Sequence, residues 1–256
     1  MNDLRLAFHQ FRYDQKTFWR DPATVFFTVA LPLIFLFIFV TIFGNERLES
    51  RGNIKLSTYY VPGLVTLGVI SATFVSLAIS LTQLRENEVL KRVRGTPVPS
   101  RVFIAGQIGT AVVVAFLLVV VLTGLGRILY GVDLPGATLP GVILTLVIGG
   151  ASFCALGIAL TTIIPTENAA PAITNAVVLP LYFISGIFFP IDEAPGWLRT
   201  VADVFPIVHL AEALFTAFDP AADGPGIEVG HLAIVAAWGL AGLVVAVRFF
   251  RWTPRR

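Results

Sequence analysis

The sequence predicts an all-α integral membrane protein with six transmembrane helices. Three observations carry that expectation. Of 256 residues, 56% are hydrophobic and the mean hydropathy is +0.82, whereas soluble domains hold about 45–50% apolar residues. Only 13% are charged, close to half the share of a soluble domain. Several apolar runs also reach the ~20 residues that a helix needs to cross a bilayer.

Residues 1–21 lack the short apolar core and small-residue cleavage site of a signal peptide. At 100° per residue, Leu4, Ala7, Phe8, Phe11, Phe18 and Trp19 share one face, and Arg5, His9, Arg12, Lys16 and Arg20 share the next. Leu6 and Tyr13 interrupt the polar side. The pattern is that of a basic amphipathic helix lying in the membrane surface, apolar side down; an ordinary solvated helix is the alternative. Asp21-Pro22 then opens a membrane span, since proline costs little in a first helical turn.

Spans are expected at 23–43, with a kink at Pro32, and at 59–84, 102–130, 139–164, 171–189 and 229–250. Residues 44–58 form a polar loop, 165–170 a tight turn, and 190–228 a longer interruption with two weakly apolar helical stretches. No internal repeat is evident, which disfavours an inverted-repeat carrier. Small residues recur in span 4 (Gly149, Gly150, Ala151, Ser152, Ala155, Gly157) and span 6 (Gly239, Gly242), and they permit close helix approach. With the N-terminus in the cytoplasm, 13 of the 18 Lys and Arg lie inside. The positive-inside rule therefore places both termini and residues 85–101 in the cytoplasm.

Residues 85–101, RENEVLKRVRGTPVPSR, are the largest charged segment in this apolar chain. Glu86, Val89, Leu90 and Val93 share one helical face, and Glu88, Lys91 and Arg92 lie on the other. Gly95, Pro97 and Pro99 end the helix. A short helix of this kind can seat in a partner's groove, its apolar residues supplying area and its charges fixing register. A positive-inside loop without a partner fits equally. In the interruption, Trp197, Val201 and Val204 share a face opposite an Arg199/Asp203 pair. His209, Glu212 and Thr216 form a narrow polar stripe, read either as a lining or gate or as a His209–Glu212 hydrogen bond that orders the segment. Glu167 is the only charge in the 165–170 turn and can face a partner, the arginines of 85–101, or solvent.

Other chemistries find little support. Cys154, the single cysteine, permits no disulfide and reads as a packing thiol; with three histidines it leaves no Cys/His cluster, and no metal is expected. No acidic or lysine chain crosses a span, so a proton relay is unsupported, and Arg127 sits where it can snorkel. None of the 22 glycines precedes a lysine, so the chain has no phosphate-binding Gly-Lys-Ser/Thr loop.

The stretch from Glu86 resembles the membrane subunit of ABC-2 type exporters, where E-x-x-x-x-K-R-[LV]-[RK]-x-[ST]-P recurs after the second span. Glu86, Lys91, Arg92, Val93, Arg94, Thr96 and Pro97 occupy that pattern, with Gly95 at the variable position. A second stretch is similar to the family's Ser-Gly-x-x-[FY]-Pro, Pro-x-W-[LI] and Phe-Pro-[LIT] series, at Ser185, Gly186, Phe189, Pro190, Pro195, Trp197, Leu198, Phe205 and Pro206. The likeness covers nearly the whole chain and leans towards the drug-resistance (daunorubicin-permease-like) type.

The resemblance implies a division of labour. Residues Glu86, Glu88, Val89, Leu90, Lys91, Arg92, Val93 and Arg94 become the coupling helix that docks on a separate ABC ATPase, present as two copies. Residues 190–228 become an extracellular re-entrant hairpin between spans 5 and 6, with Ser185, Gly186, Phe189, His209 and Glu212 as gate or lining. Arg5, Phe8, Arg12, Lys16 and Trp19 mark the interfacial helix in contact with lipid. Six spans are half of the expected twelve, implying a second copy or a sister permease in the cell membrane. The chain itself is then no enzyme and holds no cofactor; ATP and Mg2+ belong to the partner, and no nucleic-acid partner is expected. The implied activity is export of an amphipathic or lipid-like substrate such as a drug, lipid or glycolipid, along a path lined by Thr, Ser, Asn175, Tyr and Phe. Two rivals remain at this point: an integral-membrane lipid-modifying enzyme using His209 and Glu212, and a non-transporting anchor for an ATPase.

Overall fold

A computed structural model describes residues 3–43, 47–48, 54–95, 100–188, 194–219, 222 and 224–253. Among these, the chain is helical apart from a two-residue antiparallel pair, β1 (Arg47–Leu48) and β2 (Ile54–Lys55), in register Arg47 to Lys55. Five helical stretches have the length and apolar content to cross a membrane: Pro22–Ile42, Leu56–Glu86, Val102–Tyr130, Leu139–Leu160 and Val229–Phe249.

Helix α1 (Asp3–Arg20) is followed at once by α2 (Pro22–Val25). Asp21 caps the new helix, its carboxylate accepting from the Ala23 N–H and the Thr24 hydroxyl. The kink expected at Pro32 takes the form of a π turn, Phe26–Ala30, ahead of α3 (Leu31–Phe43). Leu31 donates its N–H to Phe26, one residue further back than in an α-helix. This wider turn accommodates a residue that can donate no hydrogen bond of its own.

The second span is α4 (Leu56–Ile70), a π turn at Ser71–Val75, and α5 (Ser76–Glu86). It is the centre of the bundle: Val61, Leu64, Val65, Ile70 and Ala78 are fully buried. Its π turn presses the Thr73 and Phe74 carbonyls towards α8 (Leu139–Leu160), where a Cβ on Gly157 would lie 2.8 Å from the Phe74 oxygen. Helix α7 (Ser100–Tyr130) packs on α4 and is the longest, at 31 residues.

Helices α8 and α12 (Val229–Phe249) make the most extensive helix pair. The small residues permit it: Gly239 meets Ser152, and Gly242 meets the Leu156 backbone. Gly149 and Gly157 serve other neighbours, facing Leu210 and the π turn. Helix α9 (Ala169–Ile184) has 16 residues and falls short of the span expected at 171–189. Its end is set by Gly186, whose φ of +79° suits a residue without a Cβ. The interruption holds α10 (Gly196–Ala202) and α11 (Pro206–Phe218), bent by 95° at the Phe205-Pro206 break.

Candidate functional site

The charged segment is two pieces rather than one helix. α5 ends at Glu86, Asn87 leaves helical geometry, and Glu88 takes a left-handed conformation with φ +56°. A separate six-residue helix, α6 (Val89–Arg94), then begins. Glu86 is therefore not on the face of Leu90, as a single helix would require. It stays at the end of α5 and pairs with Arg85 at 2.9 Å.

The apolar face of α6 points inward. Leu90 is fully buried and Val93 half-buried. They belong to a second core with Leu77, Leu81, Phe103, Cys154, Ile158 and Ala246, contributed by α5, α7, α8 and α12. Cys154 is a packing thiol, as expected. Leu90 thus seats the handle on its own bundle and offers no free contact area. Val89 is half-buried, and the side chain of Arg94 lies outside the described residues, as do Thr96 and Pro97. The surface that remains is charged: Lys91 and Arg92 are exposed, Lys91 lies 3.5 Å from Glu88, and Arg92 Nη2 donates to the Asn87 carbonyl at 2.9 Å.

Arg85 is the residue that the sequence reading counted only as a charge. It is 1% exposed. Its Nη1 donates to the Thr161 carbonyl at 2.9 Å and its Nη2 to the Ile164 carbonyl at 2.7 Å, while Nε holds Glu86. Thr161 caps the end of α8, where backbone acceptors lack helical partners and the helix dipole is negative, and Ile164 follows in the connection to the next helix. Beside it, Asn87 Nδ2 donates to Glu167 Oε2 at 2.9 Å, so Glu167 does face the handle. The available signal was spacing: Leu77, Leu81 and Arg85 repeat at i, i+4, i+8 and continue one buried stripe.

Helix α1 also deviates from a simple amphipathic pattern. Phe8 and Trp19 are exposed, as are Arg5, Arg12 and Lys16, but Phe18 is buried. The strip facing α7 includes polar residues. A Cβ on Gly106 would meet Gln10 and Asp14, and one on Gly109 would meet Phe11. Gln10 donates to Asp14 Oδ1 at 2.9 Å, whereas Oδ2 is buried without a partner. Burial pushes the Asp14 carboxyl up from its ordinary value of 3.8 to about 7. Because the folded pKa is raised, the contribution of Asp14 to stability is full below about 3.8 and is lost as pH rises through about 7. Thermal unfolding of purified protein should therefore shift down between pH 5 and pH 8, and Asp14→Asn should flatten that dependence.

At the opposite end of the bundle, His209 does not pair with Glu212. Its Nδ1 lies 2.8 Å from His231 Nδ1, and its Nε2 lies 2.8 Å from the Asp203 carbonyl. A carbonyl only accepts, so Nε2 of His209 carries a proton, and the two Nδ1 atoms share another between them. Both ring nitrogens are thus engaged, and α10, α11 and α12 are tied together. Glu212 is half-buried one turn along α11. Arg199 Nε donates to the Ala194 carbonyl at 2.9 Å. Among the described residues, no three His, Cys, Asp or Glu side chains cluster as a metal site would need. Ser185 is fully buried, and the Gly186 carbonyl accepts from the Tyr59 hydroxyl, so this turn is packed onto α4. Phe189 lies outside the described residues. An apolar cavity of about 160 Å³ sits at the α10–α11 break, lined by Phe74, Phe153, Val178, Leu181, Pro206 and Trp238 among others.

Comparison with known proteins finds relatives among membrane permeases. The chain is 23% identical over 230 residues to the inner membrane transport permease YadH of Escherichia coli (strain K12), covering 88% of this chain and 86% of that protein. It is 29% identical over 199 residues to the daunorubicin resistance ABC transporter permease protein DrrB1 of Streptomyces coeruleorubidus, covering 75% and 67%. It is 22% identical over 173 residues to the probable multidrug ABC transporter permease YbhR of Escherichia coli (strain K12), covering 66% and 47%. The family model described as ABC-2 type transporter matches residues 8–218, from the first helix through the bent pair, and the chain belongs to that family.

Proposed function

We propose that this multi-pass protein is the permease subunit of an ATP-driven exporter, and that residues 86–94 couple it to a separate ABC ATPase. The observation that carries the reading is the exposed charged face of α6 on a rigidly seated helix: Lys91 and Arg92 stand out from a handle whose apolar side is buried. Such a surface suits a docking contact in which charges fix orientation and the helix moves as part of the bundle. The positive-inside count puts this face in the cytoplasm. In this reading, α10 and α11 form a re-entrant cap towards the outside, and the cargo is amphipathic or lipid-like, in keeping with the drug and multidrug labels of two relatives.

A second permease copy, or a sister permease, completes the complex. Asn175 supports this: it is exposed on α9 on the same face as Leu179, and an amide in a span faces protein or water in preference to lipid. ATP and Mg2+ sit in the partner ATPase. The enzyme reading loses its foothold, because His209 has no ring nitrogen free for a substrate. The anchor reading differs from the exporter only in lacking cargo movement.

Reversing the charges tests the reading. Lys91→Glu with Arg92→Glu should fold normally yet lose most of the co-purifying ATPase, while a wild-type chain brings an ATPase with it. Undiminished co-purification of the variant would show that this face is not the contact. In the same membranes, a cysteine at Lys91 should be closed to an impermeant thiol reagent applied outside and one at Lys55 open; the opposite labelling overturns the orientation.

A further inference from the structure

We infer that Arg85 is the joint through which movement of the handle reaches the far end of the bundle; this rests on the coupling reading above. Two routes lead away from a displaced α6. One runs along its own span, through α5 and α4. The other crosses to α8, and it is the one the side chains have built. Arg85 holds both the Thr161 and Ile164 carbonyls, at 2.9 and 2.7 Å. Asn87 holds Glu167 on the same turn at 2.9 Å. Leu90 sits in one core with Cys154 and Ile158 of α8 and Ala246 of α12. The base of the handle is therefore fastened to the end of α8 by a charge-assisted bond and apolar packing, and to the connection between α8 and α9 by a second arm of the fork and an amide–carboxylate bond.

From that joint the structure is continuous to the opposite surface. Helix α8 is locked to α12 at Gly239 against Ser152 and at Gly242 against Leu156. Gly149 of α8 receives Leu210 of α11, and a Cβ there would lie 2.5 Å from that side chain. His231 at the start of α12 holds His209 of α11, which holds the Asp203 carbonyl at the end of α10. The Gly141 N–H, at the start of α8, donates to the Pro225 carbonyl at 3.0 Å, closing the same unit from the other side. Packed interfaces of this kind shift as bodies and resist continuous deformation. Handle displacement is thus delivered to α8, α12 and the bent pair together. Arg85 suits the task because its planar guanidinium offers donors from three separate nitrogens to two carbonyls and a carboxylate, whereas a lysine ammonium would have to reach all three from one nitrogen.

The test uses the full chain with its co-purifying ATPase in lipid, in a Cys154→Ala background. One reporter is placed by Gly95→Cys at the exposed end of the handle, clear of the docking charges, and another by Trp197→Cys on α10, where the native tryptophan is 69% exposed. In the otherwise wild-type complex both reporters should respond to ATP. Arg85→Met should keep the ATPase bound and the handle response intact, and lose the α10 response; Arg85→Lys should retain part of it. An unchanged α10 response in Arg85→Met overturns the joint. Should that variant fail to fold, Asn87→Cys with Glu167→Cys, bridged by a bifunctional thiol reagent, decides the matter. A joint that stays closed tolerates the bridge with the α10 response preserved, whereas loss of the response shows that the handle and the connection after α8 separate during the cycle and overturns the proposal. A handle reporter silent in the wild-type complex overturns the coupling reading itself, and the joint with it.

Discussion

Leu90→Asp is expected to prevent the chain from folding. Leu90 is fully buried among Leu77, Leu81, Phe103, Ile158 and Ala246. Truncation to alanine alone should cost about 2–5 kcal/mol, the usual range for a buried leucine whose surroundings relax only partly. A carboxylate there has no partner of opposite charge in that apolar cluster, and an unpaired buried charge costs several kcal/mol beyond the lost packing. The measurement is size-exclusion and thermal unfolding in detergent, beside Lys91→Glu, which should behave as wild type. A monodisperse Leu90→Asp protein with unchanged unfolding would show that the residue faces outward, and the handle would then be a loose peptide and not a seated helix.

Gly239→Leu should have the second large effect. A Cβ at Gly239 would lie 2.3 Å from Ser152 Oγ, 2.6 Å from its Cβ and 2.7 Å from its Cα. The last of these is backbone and cannot rotate away, so α8 and α12 must move apart. Overpacking usually costs about 1–3 kcal/mol; here separation also forfeits the van der Waals contacts that hold helices together where lipid is as apolar as the interface. Gly124→Ala is the matched control, because a Cβ at Gly124 has nothing within 4 Å. It should be neutral or gain up to about 1 kcal/mol from helix propensity. Equal effects of the two substitutions on unfolding would mean that α8 and α12 are not in close contact. If the α8–α12 unit carries motion as inferred, Gly239→Leu should also blunt the α10 response even where some protein folds.

The sequence by itself determined the things that depend on local composition and period. Runs of about 20 apolar residues form helices suited to a membrane, so helix positions were legible to within a few residues at most ends. Asp21-Pro22 marked a helix start because capping and the proline preference are local effects. Glycines in spans 4 and 6 announced a close contact because nothing else explains small residues there. Period also outlined α6, with Leu90 and Val93 on one face, but it could not say what that face touches.

Only the tertiary structure decided that the face packs on α5, α7, α8 and α12, since amphipathicity looks the same whether a helix meets a partner or its own bundle. It likewise placed Arg85 on the end of α8, paired His209 with His231 and not Glu212, and put Asp14 against Gly106. Each of these contacts joins residues far apart in the chain. Their energies come from desolvation and geometry created when helices pack, and no spacing along one helix encodes which distant carbonyl or imidazole will lie 2.8 Å away.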